Sequence, residues 1–272
     1  MAQLPITARV AGIPVFYLEP SAAVAGGGRR LAIWLPGFSG TKESQLPQLQ
    51  DLAADGFVAM SFDMAQHGER LVDADAEALV TRVRSNLRTY FWEILDQSAR
   101  EFTTLIDWAV AELGVEPVVA VGGNSAGGDT ALAAAGLDPR IAAVATCVAT
   151  PDWKRPGSWE PPGAPDAHSQ MCYDRACPIV NIEPFLTRKP AVSFHCGADD
   201  DQVPSEAAVR FREALLPAYI ASGARNRVQV QLHDGLGHGG EVLAAAWPAV
   251  RRFLSLFTAA AATSAAKYSS RL

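Results

Sequence analysis

Short apolar runs recur along the chain, separated by polar or turn-forming segments. The runs are LAIWL (31–35), FVAMSF (57–62), PVVAVG (117–122), IAAVATCVA (141–149), AVSFHCG (191–197) and VQVQL (228–232). Because few polar residues interrupt them, they predict strands covered on both faces, as in a parallel sheet. Upstream, ITARVAGIPVFYLEP and the glycine-rich AVAGGGRR predict further strands joined by a flexible hairpin.

Segments with helical spacing lie between these runs. Apolar residues at steps of three and four run from Val80 to Leu113, with one gap at Ser98, and predict one long amphipathic helix. SEAAVRFREALLPAYIASG predicts a helix capped by Ser205 and ended at Gly223, and EVLAAAWPAVRRFLSLF predicts the last helix. Alternating strands and helices favour an α/β fold with right-handed crossovers, here about eight mostly parallel strands flanked by helices.

The length and composition are those of one large domain. The chain has 272 residues, 49% of them hydrophobic, which is enough for a sizeable buried core. We assign residues 1–257 to this domain. Within it, residues 152–189 are dense in Pro, Gly, Trp and charge and follow a predicted strand, which indicates an insertion rather than a linker. The Ala- and Ser-rich tail, residues 258–272, is expected to be flexible.

The charge pattern argues against nucleic acid as a partner. The formal net charge is -6, and Lys and Arg are scattered rather than gathered into a patch. No apolar run approaches the roughly 20 residues of a membrane-spanning helix, and the first residues lack the pattern of a signal peptide. We therefore expect a cytoplasmic protein that does not bind membranes. Its oligomeric state, monomer or homodimer, stays open.

The cysteines do not form a recognisable metal or redox motif. Cys147, Cys172, Cys177 and Cys196 contain no C-x-x-C pair. Free thiols are therefore expected, although Cys172 and Cys177 are close enough in sequence to bridge if the loop between them folds back.

A possible nucleophile lies where the third of these runs meets a helix. Gly123-Asn124-Ser125-Ala126-Gly127 is a G-x-S-x-G motif between a predicted strand and a predicted helix. A nucleophile at such a sharp turn needs small neighbours, and the helix after it directs N–H groups toward the developing oxyanion. The alternative is a glycine-rich turn that holds a phosphate, but the segment lacks the P-loop lysine and the G-x-G-x-x-G pattern.

Candidates for the acid and the base follow in the order that this motif requires. A serine hydroxyl becomes an effective nucleophile when a histidine removes its proton and a carboxylate orients that histidine. FHCGADDDQVP ends a predicted strand with three acidic residues, 199–201, and HDGLGHGG follows the next strand with His233 and His238. Both segments lie where the C-terminal edge of the sheet would expose them.

Several segments together resemble one superfamily. LPGFSGTKE, MAQHGER, YFWEILDQSAREF, GGNSAGG, GADDDQVP and GLGHGG occur in this order. Over about residues 30–257, the chain resembles α/β-hydrolases of the dienelactone hydrolase and prolyl-oligopeptidase-like group, particularly YitV-type bacterial esterases. The resemblance implies an α/β-hydrolase fold with a short lid-like insertion.

The resemblance also implies roles for individual residues. The acid of its G-x-x-D-x-x-V loop matches Asp200, with Asp199 and Asp201 as rivals, and the base of its G-x-G-H loop matches His238. The oxyanion hole would consist of the backbone N–H groups of Phe38 and Ala126. The chain departs from the pattern with proline at position 36, where the family has histidine, and we expect Ser39 or Thr41 to compensate.

The other histidines have plainer interpretations. His233 and His195 lie in or beside predicted strands and are expected to be structural. His67, with Arg70, resembles a loop that shapes the pocket floor, although a surface role is equally consistent with the sequence. His168 lies in the insertion, where it would contact substrate or solvent.

The insertion provides a hypothesis for substrate binding. We expect residues 152–189 to form a partial lid whose large side chains line an apolar acyl or alcohol pocket. The candidates are Trp153, Trp159, Met171, Tyr173 and Phe185. Alternatively, each of them packs the insertion onto the body of the domain.

The resemblance implies a carboxylesterase-like serine hydrolase that acts through an acyl-enzyme on Ser125, without metal or organic cofactor. A small-molecule acyl substrate of small or medium size is expected, because the chain lacks the large additional domain with which prolyl-oligopeptidase relatives select peptides. The alternatives are peptide or amide cleavage, lactone opening and, from a different class, a non-catalytic ligand-binding homologue. The complete set of triad residues counts against the last.

Overall fold

A computed structural model describes residues 4–20 and 28–269, with side chains up to residue 259. Eight strands form one sheet in the order β1-β2-β4-β3-β5-β6-β7-β8. They are β1 (Ile6–Val10), β2 (Ile13–Leu18), β3 (Arg30–Leu35), β4 (Phe57–Phe62), β5 (Val119–Asn124), β6 (Ile141–Cys147), β7 (Ala191–Gly197) and β8 (Val228–His233). Strands β3 to β8 pair in parallel, whereas β2 pairs antiparallel with both β1 and β4. The predicted mostly parallel sheet is confirmed.

Helices cover both faces of the sheet. They are α1 (Leu46–Ala54), α2 (Ala76–Ser85), α3 (Leu87–Leu113), α4 (Ala126–Leu137), α5 (Ala167–Ala176), α6 (Glu183–Arg188), α7 (Glu206–Ala221) and α8 (Gly240–Ser269). Helices α1 and α8 pack on one face, against a core that includes Trp34 and Phe57. The side chains of α2 to α7 pack on the other face, against Val121 and Phe194. Alternate residues of each strand therefore enter opposite cores, which explains the apolar runs without polar alternation.

The predicted long helix is two helices. Asn86 ends α2 and precedes α3 in an extended conformation with φ −161° and ψ 91°, and its side chain accepts a hydrogen bond from the N–H of Thr89. An asparagine cap of this kind starts a new helix and competes with continuation of the old one. Ser98, the gap in the pattern, is buried within α3 and accepts a hydrogen bond from the N–H of Ala65.

The later helices lie where the sequence predicts them and differ from the prediction only at their ends. Ser205 precedes α7 as predicted, but it has helical dihedral angles and makes no side-chain cap hydrogen bond, so the capping prediction is wrong. Gly223 follows the helix at φ 69°. Helix α8 continues to Ser269, so helical backbone follows Phe257 through most of the expected flexible tail. The predicted glycine-rich hairpin turn falls largely on residues 21–27, outside the described residues.

The insertion between β6 and β7 contains α5 and α6 and packs on α3. Tyr173 of α5 stacks on Trp92 of α3 with ring centroids 4.4 Å apart. The indole N–H of Trp92 donates to the carbonyl oxygen of Trp153 at 3.0 Å. These contacts hold the insertion over the C-terminal edge of the sheet, where β5, β7 and β8 end.

Candidate active site

Ser125 lies at the sharp turn between β5 and α4, with φ 50° and ψ −120°. A positive φ is unfavourable for a residue with a side chain, so the surrounding packing must hold it. The flanking glycines make this turn possible, because a β-carbon on Gly123 would lie 2.4 Å from the carbonyl carbon of Gly127. The N–H of Ser125 donates to the carbonyl oxygen of Cys147 at 2.8 Å. The turn thus presents the serine hydroxyl at the edge of the sheet.

Two loops at the same edge bring a histidine and a carboxylate to this hydroxyl. Oγ of Ser125 lies 3.0 Å from Nε2 of His238, and Nδ1 of His238 lies 2.8 Å from Oδ2 of Asp200. Asp200 follows β7 and His238 follows β8. Because the carboxylate can only accept at Nδ1, the neutral ring keeps its free lone pair at Nε2, facing the serine proton. The arrangement can transfer that proton to the histidine.

The structure distinguishes Asp200 from its two acidic neighbours. The Asp200 side chain is fully buried, whereas Asp199 and Asp201 are exposed. The second oxygen of Asp200 accepts hydrogen bonds from the backbone N–H groups of Gln202 at 3.1 Å and Val203 at 2.8 Å. These two bonds fix the orientation of the carboxylate toward the histidine.

The loop after β3 passes directly beside the serine. A β-carbon on Gly37 would lie 3.7 Å from Cβ of Ser125, and one on Gly127 would lie 2.3 Å from the carbonyl oxygen of Pro36. Phe38 follows in this loop. The two predicted oxyanion donors are the backbone N–H groups of Phe38 and Ala126. They belong to two segments that contact each other beside Ser125.

Lys42 ties this loop to the end of β4. It is 1% exposed, and its Nζ donates to Asp63 at 2.8 Å and Glu69 at 2.7 Å, while its backbone N–H donates to the other oxygen of Asp63. Burial alone would lower the pKa of Lys42, but its hydrogen bonds to carboxylates raise it. These contacts hold the loop after β3 against the end of β4. The expected compensation by Ser39 or Thr41 for proline at position 36 stays a prediction. Sequence reasoning missed this residue, although it stands in LPGFSGTKE.

A small cleft of about 30 Å³ opens beside Ser125. One part of its wall is apolar and comes from the loop after β3 and from α2 and α3; the other part is polar and comes from α2, the insertion and the acid loop. Besides the serine, it is lined by Phe38, Val83, Arg84, Leu87, Phe91, Arg155, Glu160 and Gln202. The insertion therefore contributes charged side chains to the cleft.

The large side chains predicted for this pocket lie elsewhere. Tyr173 is 4% exposed in its stack on α3, and Phe185 is fully buried in the core. Trp153 lines a neighbouring cavity. Trp159 and Met171 are 55% and 58% exposed, and neither lines the cleft. The pocket prediction is corrected accordingly: the buried aromatic side chains gain more by packing the insertion onto the domain than by facing a partly wet cleft.

A buried network of charges, also missed by sequence reasoning, joins the insertion to both sides of the site. Asp129, one turn into α4, accepts hydrogen bonds from the N–H of Thr150 at 2.7 Å and from Arg155 at 3.0 Å. Arg155 also pairs with Glu160 at 2.9 Å, and Glu160 accepts a hydrogen bond from the side chain of Gln202 in the acid loop. Burial raises the pKa of Asp129, while the charge of Arg155 opposes the shift. The insertion thereby links α4, the helix that follows Ser125, to the loop that contains Asp200.

The remaining histidines do not touch the serine. His195 is buried on β7, 3.4 Å from His233, and burial together with His233 lowers its pKa to about 4. His67 is 1% exposed and packs edge-to-face against Phe38 with ring centroids 5.2 Å apart, so it lies beneath the loop after β3. Burial lowers the pKa of His67. The His168 side chain is 60% exposed and lies 3.8 Å from a carboxylate of α3.

The cysteines are all buried, free thiols, and Cys172 and Cys177 do not pair. Across residues 4–20 and 28–269, no group of three or more His, Cys, Asp or Glu side chains is arranged to hold a metal ion. In the same ranges, no helix combines the length and the apolar character needed to cross a membrane.

The fold and the site together define a class. A mostly parallel sheet of eight strands carries a serine at a strained strand-to-helix turn, and the serine, aspartate and histidine follow one another in this order along the chain. This combination is characteristic of α/β-hydrolases.

A curated relative agrees with this class. The chain is 30% identical over 174 residues to Esterase YjfP of Escherichia coli strain K12, across 60% of this chain and 66% of the relative, just under two thirds of its length. No family model matches the chain.

Solved structures share the fold at low sequence identity. A protein assigned as a dienelactone hydrolase from Klebsiella pneumoniae has a TM-score of 0.67 at 14% identity and covers 94% of this chain and 99% of its own. A puromycin-hydrolyzing peptidase from Mycobacterium tuberculosis has a TM-score of 0.68 at 17% identity, covering 94% of this chain and 39% of the peptidase. An esterase from Thermogutta terrifontis has a TM-score of 0.58 at 18% identity, and the match covers 93% of this chain and 94% of the esterase. These structures show that the chain has the α/β-hydrolase fold.

Proposed function

We propose that the chain is a serine hydrolase that cleaves a carboxylic ester of a small or medium-sized substrate. One observation carries the proposal: the continuous line of hydrogen bonds from Ser125 Oγ through the His238 ring to the buried carboxylate of Asp200. A hydroxyl joined in this way to a base and an orienting acid is the arrangement that activates a serine.

This geometry supports the following reaction. Ser125 Oγ attacks the carbonyl carbon of the ester while His238 takes its proton, and the N–H groups of Phe38 and Ala126 stabilise the oxyanion. The intermediate collapses as His238 returns the proton to the departing alcohol, which leaves an acyl-enzyme. Water, deprotonated by the same histidine, then releases the acid and restores the serine.

An ester is favoured over other acyl substrates. The curated relative is named as an esterase, and the Thermogutta terrifontis enzyme is an esterase of which a form phosphorylated by paraoxon exists. The small size of the cleft beside Ser125 supports a small or medium-sized substrate over a large one. Amide cleavage is the second candidate, because the fold is also that of the puromycin-hydrolyzing peptidase.

Hydrolysis of p-nitrophenyl acetate and butyrate tests the proposal. The native chain should turn over both esters, and Ser125→Ala should lower kcat by about 10⁴-fold or more, because the nucleophile is lost. Asp200→Asn should also reduce kcat strongly, whereas the matched control Asp199→Asn changes an exposed neighbour and should keep kcat near native.

Other outcomes would redirect the proposal. Equal turnover by native protein and Ser125→Ala would remove Ser125 as nucleophile, and absence of turnover by both would favour a ligand-binding homologue. A matched set of an ester, a lactone and an amide then decides the bond type, with a higher kcat/KM for the amide contradicting the ester assignment.

A further inference from the structure

The loop after β3, which contains one of the two predicted oxyanion donors, includes a strained turn. The N–H of Gly40 donates to the carbonyl oxygen of Gly37 at 3.0 Å, so Phe38 and Ser39 are the central residues of a tight turn. Ser39 lies at φ 64°, which is unfavourable for a residue with a side chain. Such a conformation persists only when contacts from outside the turn hold it.

One of these outside contacts begins directly after the turn. The backbone N–H of Lys42 donates to one carboxylate oxygen of Asp63 at 3.0 Å, and the Lys42 ammonium donates to the other oxygen at 2.8 Å. Both side chains are buried. A charge-assisted hydrogen bond away from water is stronger than an ion pair at the surface. The end of the turn is therefore attached to the end of β4 through two hydrogen bonds.

The segment after β4 orients the carboxylate that receives this lysine. The N–H of Glu69 donates to Asp63 at 3.0 Å, and a carboxylate oxygen of Glu69 lies 2.7 Å from the Lys42 ammonium. Gly68 makes this arrangement possible, because a β-carbon at its φ of 54° would lie 2.3 Å from the carboxylate carbon of Asp63. The Glu69 N–H therefore fixes the carboxylate independently of the lysine.

The same segment contacts the turn at a second point. The ring of His67 packs edge-to-face against the ring of Phe38 with centroids 5.2 Å apart, and Phe91 of α3 packs against Phe38 in the same way at 5.3 Å. These rings hold the Phe38 side chain, whereas Lys42 holds the backbone that follows it. The position of the Phe38 N–H thus depends on both kinds of contact.

Lys42 lies outside the reaction site itself. Phe38 is among the described residues that line the cleft beside Ser125, and Lys42 is not. The residue before Phe38 lies directly beside the nucleophile, since a β-carbon on Gly37 would be 3.7 Å from Cβ of Ser125. A small shift of the turn would therefore move the Phe38 N–H relative to the serine.

We propose that Lys42 is a positioning residue for the oxyanion hole: its pair with Asp63 holds the turn so that the Phe38 N–H stays beside Ser125. The inference rests on the proposed esterase function and adds to it a residue that acts through Phe38 without touching the substrate. A donor that is already oriented stabilises the developing oxyanion without reorganisation during the reaction.

The kinetics of Lys42→Met, Asp63→Asn and the double variant test this inference. We expect each single variant to lower kcat for p-nitrophenyl butyrate about 10–100-fold, because a displaced donor stabilises the oxyanion less. KM should stay within about twofold of the native value, because the lining of the cleft is unchanged. The double variant should lose no more than Lys42→Met alone, because the two residues act as one unit.

Glu43→Gln is the matched control. Glu43 also contacts the Lys42 ammonium, at 2.7 Å, but it is exposed and adjacent to Lys42 in the chain, so it does not connect the loop to β4. This variant should keep the native kcat. Titration of active sites with a fluorophosphonate refers each kcat to folded protein. The double variant has no uncompensated buried charge, so it separates a loss of positioning from a loss of folding.

Hydrogen–deuterium exchange of residues 36–41 provides a measurement that needs no turnover. Exchange should be faster in Lys42→Met than in the native chain and in Glu43→Gln. Native kcat in Lys42→Met, a change confined to KM, losses that multiply in the double variant, or unchanged exchange would each overturn the inference. A native chain that hydrolyses no ester, with exchange altered as expected in Lys42→Met, would instead contradict the proposed esterase function alone.

Discussion

Ser125 holds a backbone conformation that its own side chain disfavours. Its φ of 50° persists because Gly123 and Gly127 allow β5 and α4 to approach each other more closely than any side chain would permit. The energy of the strained turn is thus balanced by packing around it. The result is a hydroxyl that points out of the sheet edge toward the histidine.

Substitution of one of these glycines should disturb both stability and activity. In Gly123→Ala the new β-carbon would lie 2.4 Å from backbone atoms of Gly127, and backbone cannot move aside as a flexible side chain can. We expect the free energy of unfolding to fall by about 2–3 kcal/mol and ester turnover to fall with it, measured by urea denaturation and initial rates.

A matched glycine shows whether the close approach is the cause. A β-carbon on Gly240, at the start of α8, would meet nothing within 4 Å, so Gly240→Ala should leave both stability and turnover close to native. Native stability and turnover in Gly123→Ala would contradict the account of the turn.

Among single residues, the sequence predicts those whose function depends on their immediate neighbours in the chain. Ser125 in its G-x-S-x-G motif and His238 in GLGHGG could be singled out because their neighbours are part of the same turn. Lys42 and Arg155 could not, since their partners lie 21 and 26 positions away and are known only from the fold. Asp200 could be predicted only as one of three adjacent acidic residues. Its burial in the structure distinguishes it from the other two.

Residues of the insertion connect two elements of the site, helix α4 and the loop that contains Asp200. Arg155 binds Asp129 of α4, and Glu160 binds Gln202 of the acid loop. In addition, the N–H of Trp159 donates to the carbonyl oxygen of Asp201 at 3.2 Å. The insertion therefore connects α4 to the loop that contains Asp200, in addition to lining the cleft.

Substitution of Arg155 should destabilise the fold. Arg155→Met leaves the fully buried carboxylate of Asp129 without its cation, and we expect a loss of about 3 kcal/mol in the free energy of unfolding. The double variant Arg155→Met with Asp129→Asn removes the uncompensated charge and should recover part of this loss. Urea denaturation of the three proteins measures both effects.

Two results would contradict this explanation of the role of Arg155. Native stability of Arg155→Met would show that the ion pair contributes little, and a double variant no more stable than the single variant would show that the uncompensated charge is not the cause.

The elements themselves were largely predictable, because a strand buried on both faces and an amphipathic helix have distinct periodicities. The strands from LAIWL to VQVQL all appear close to their predicted limits. The division between α2 and α3 was not predicted. The apolar pattern runs on through Asn86, and only the side-chain cap of that residue separates the two helices. The positions of the insertion side chains were also unpredictable, because an aromatic residue in a polar segment fits either a pocket or a packing contact.

At the scale of the whole molecule, the parallel sheet assembles the site. Strands β5, β7 and β8 end at one edge, and the loops after them supply Ser125, Asp200 and His238, although residues 125 and 238 are 113 positions apart. Helices pack on both faces of the sheet, and the insertion covers part of that edge. The chain order of the three residues was readable from the sequence because the fold class requires it; their hydrogen-bonding distances required the structure.

Covalent labelling by a fluorophosphonate, followed by peptide mass spectrometry, tests the central claim most directly. The account predicts one label per chain, attached to Ser125, with no label in Ser125→Ala and slower labelling in His238→Gln because the base is lost. A label on another residue, or labelling of Ser125→Ala at the native rate, would contradict it.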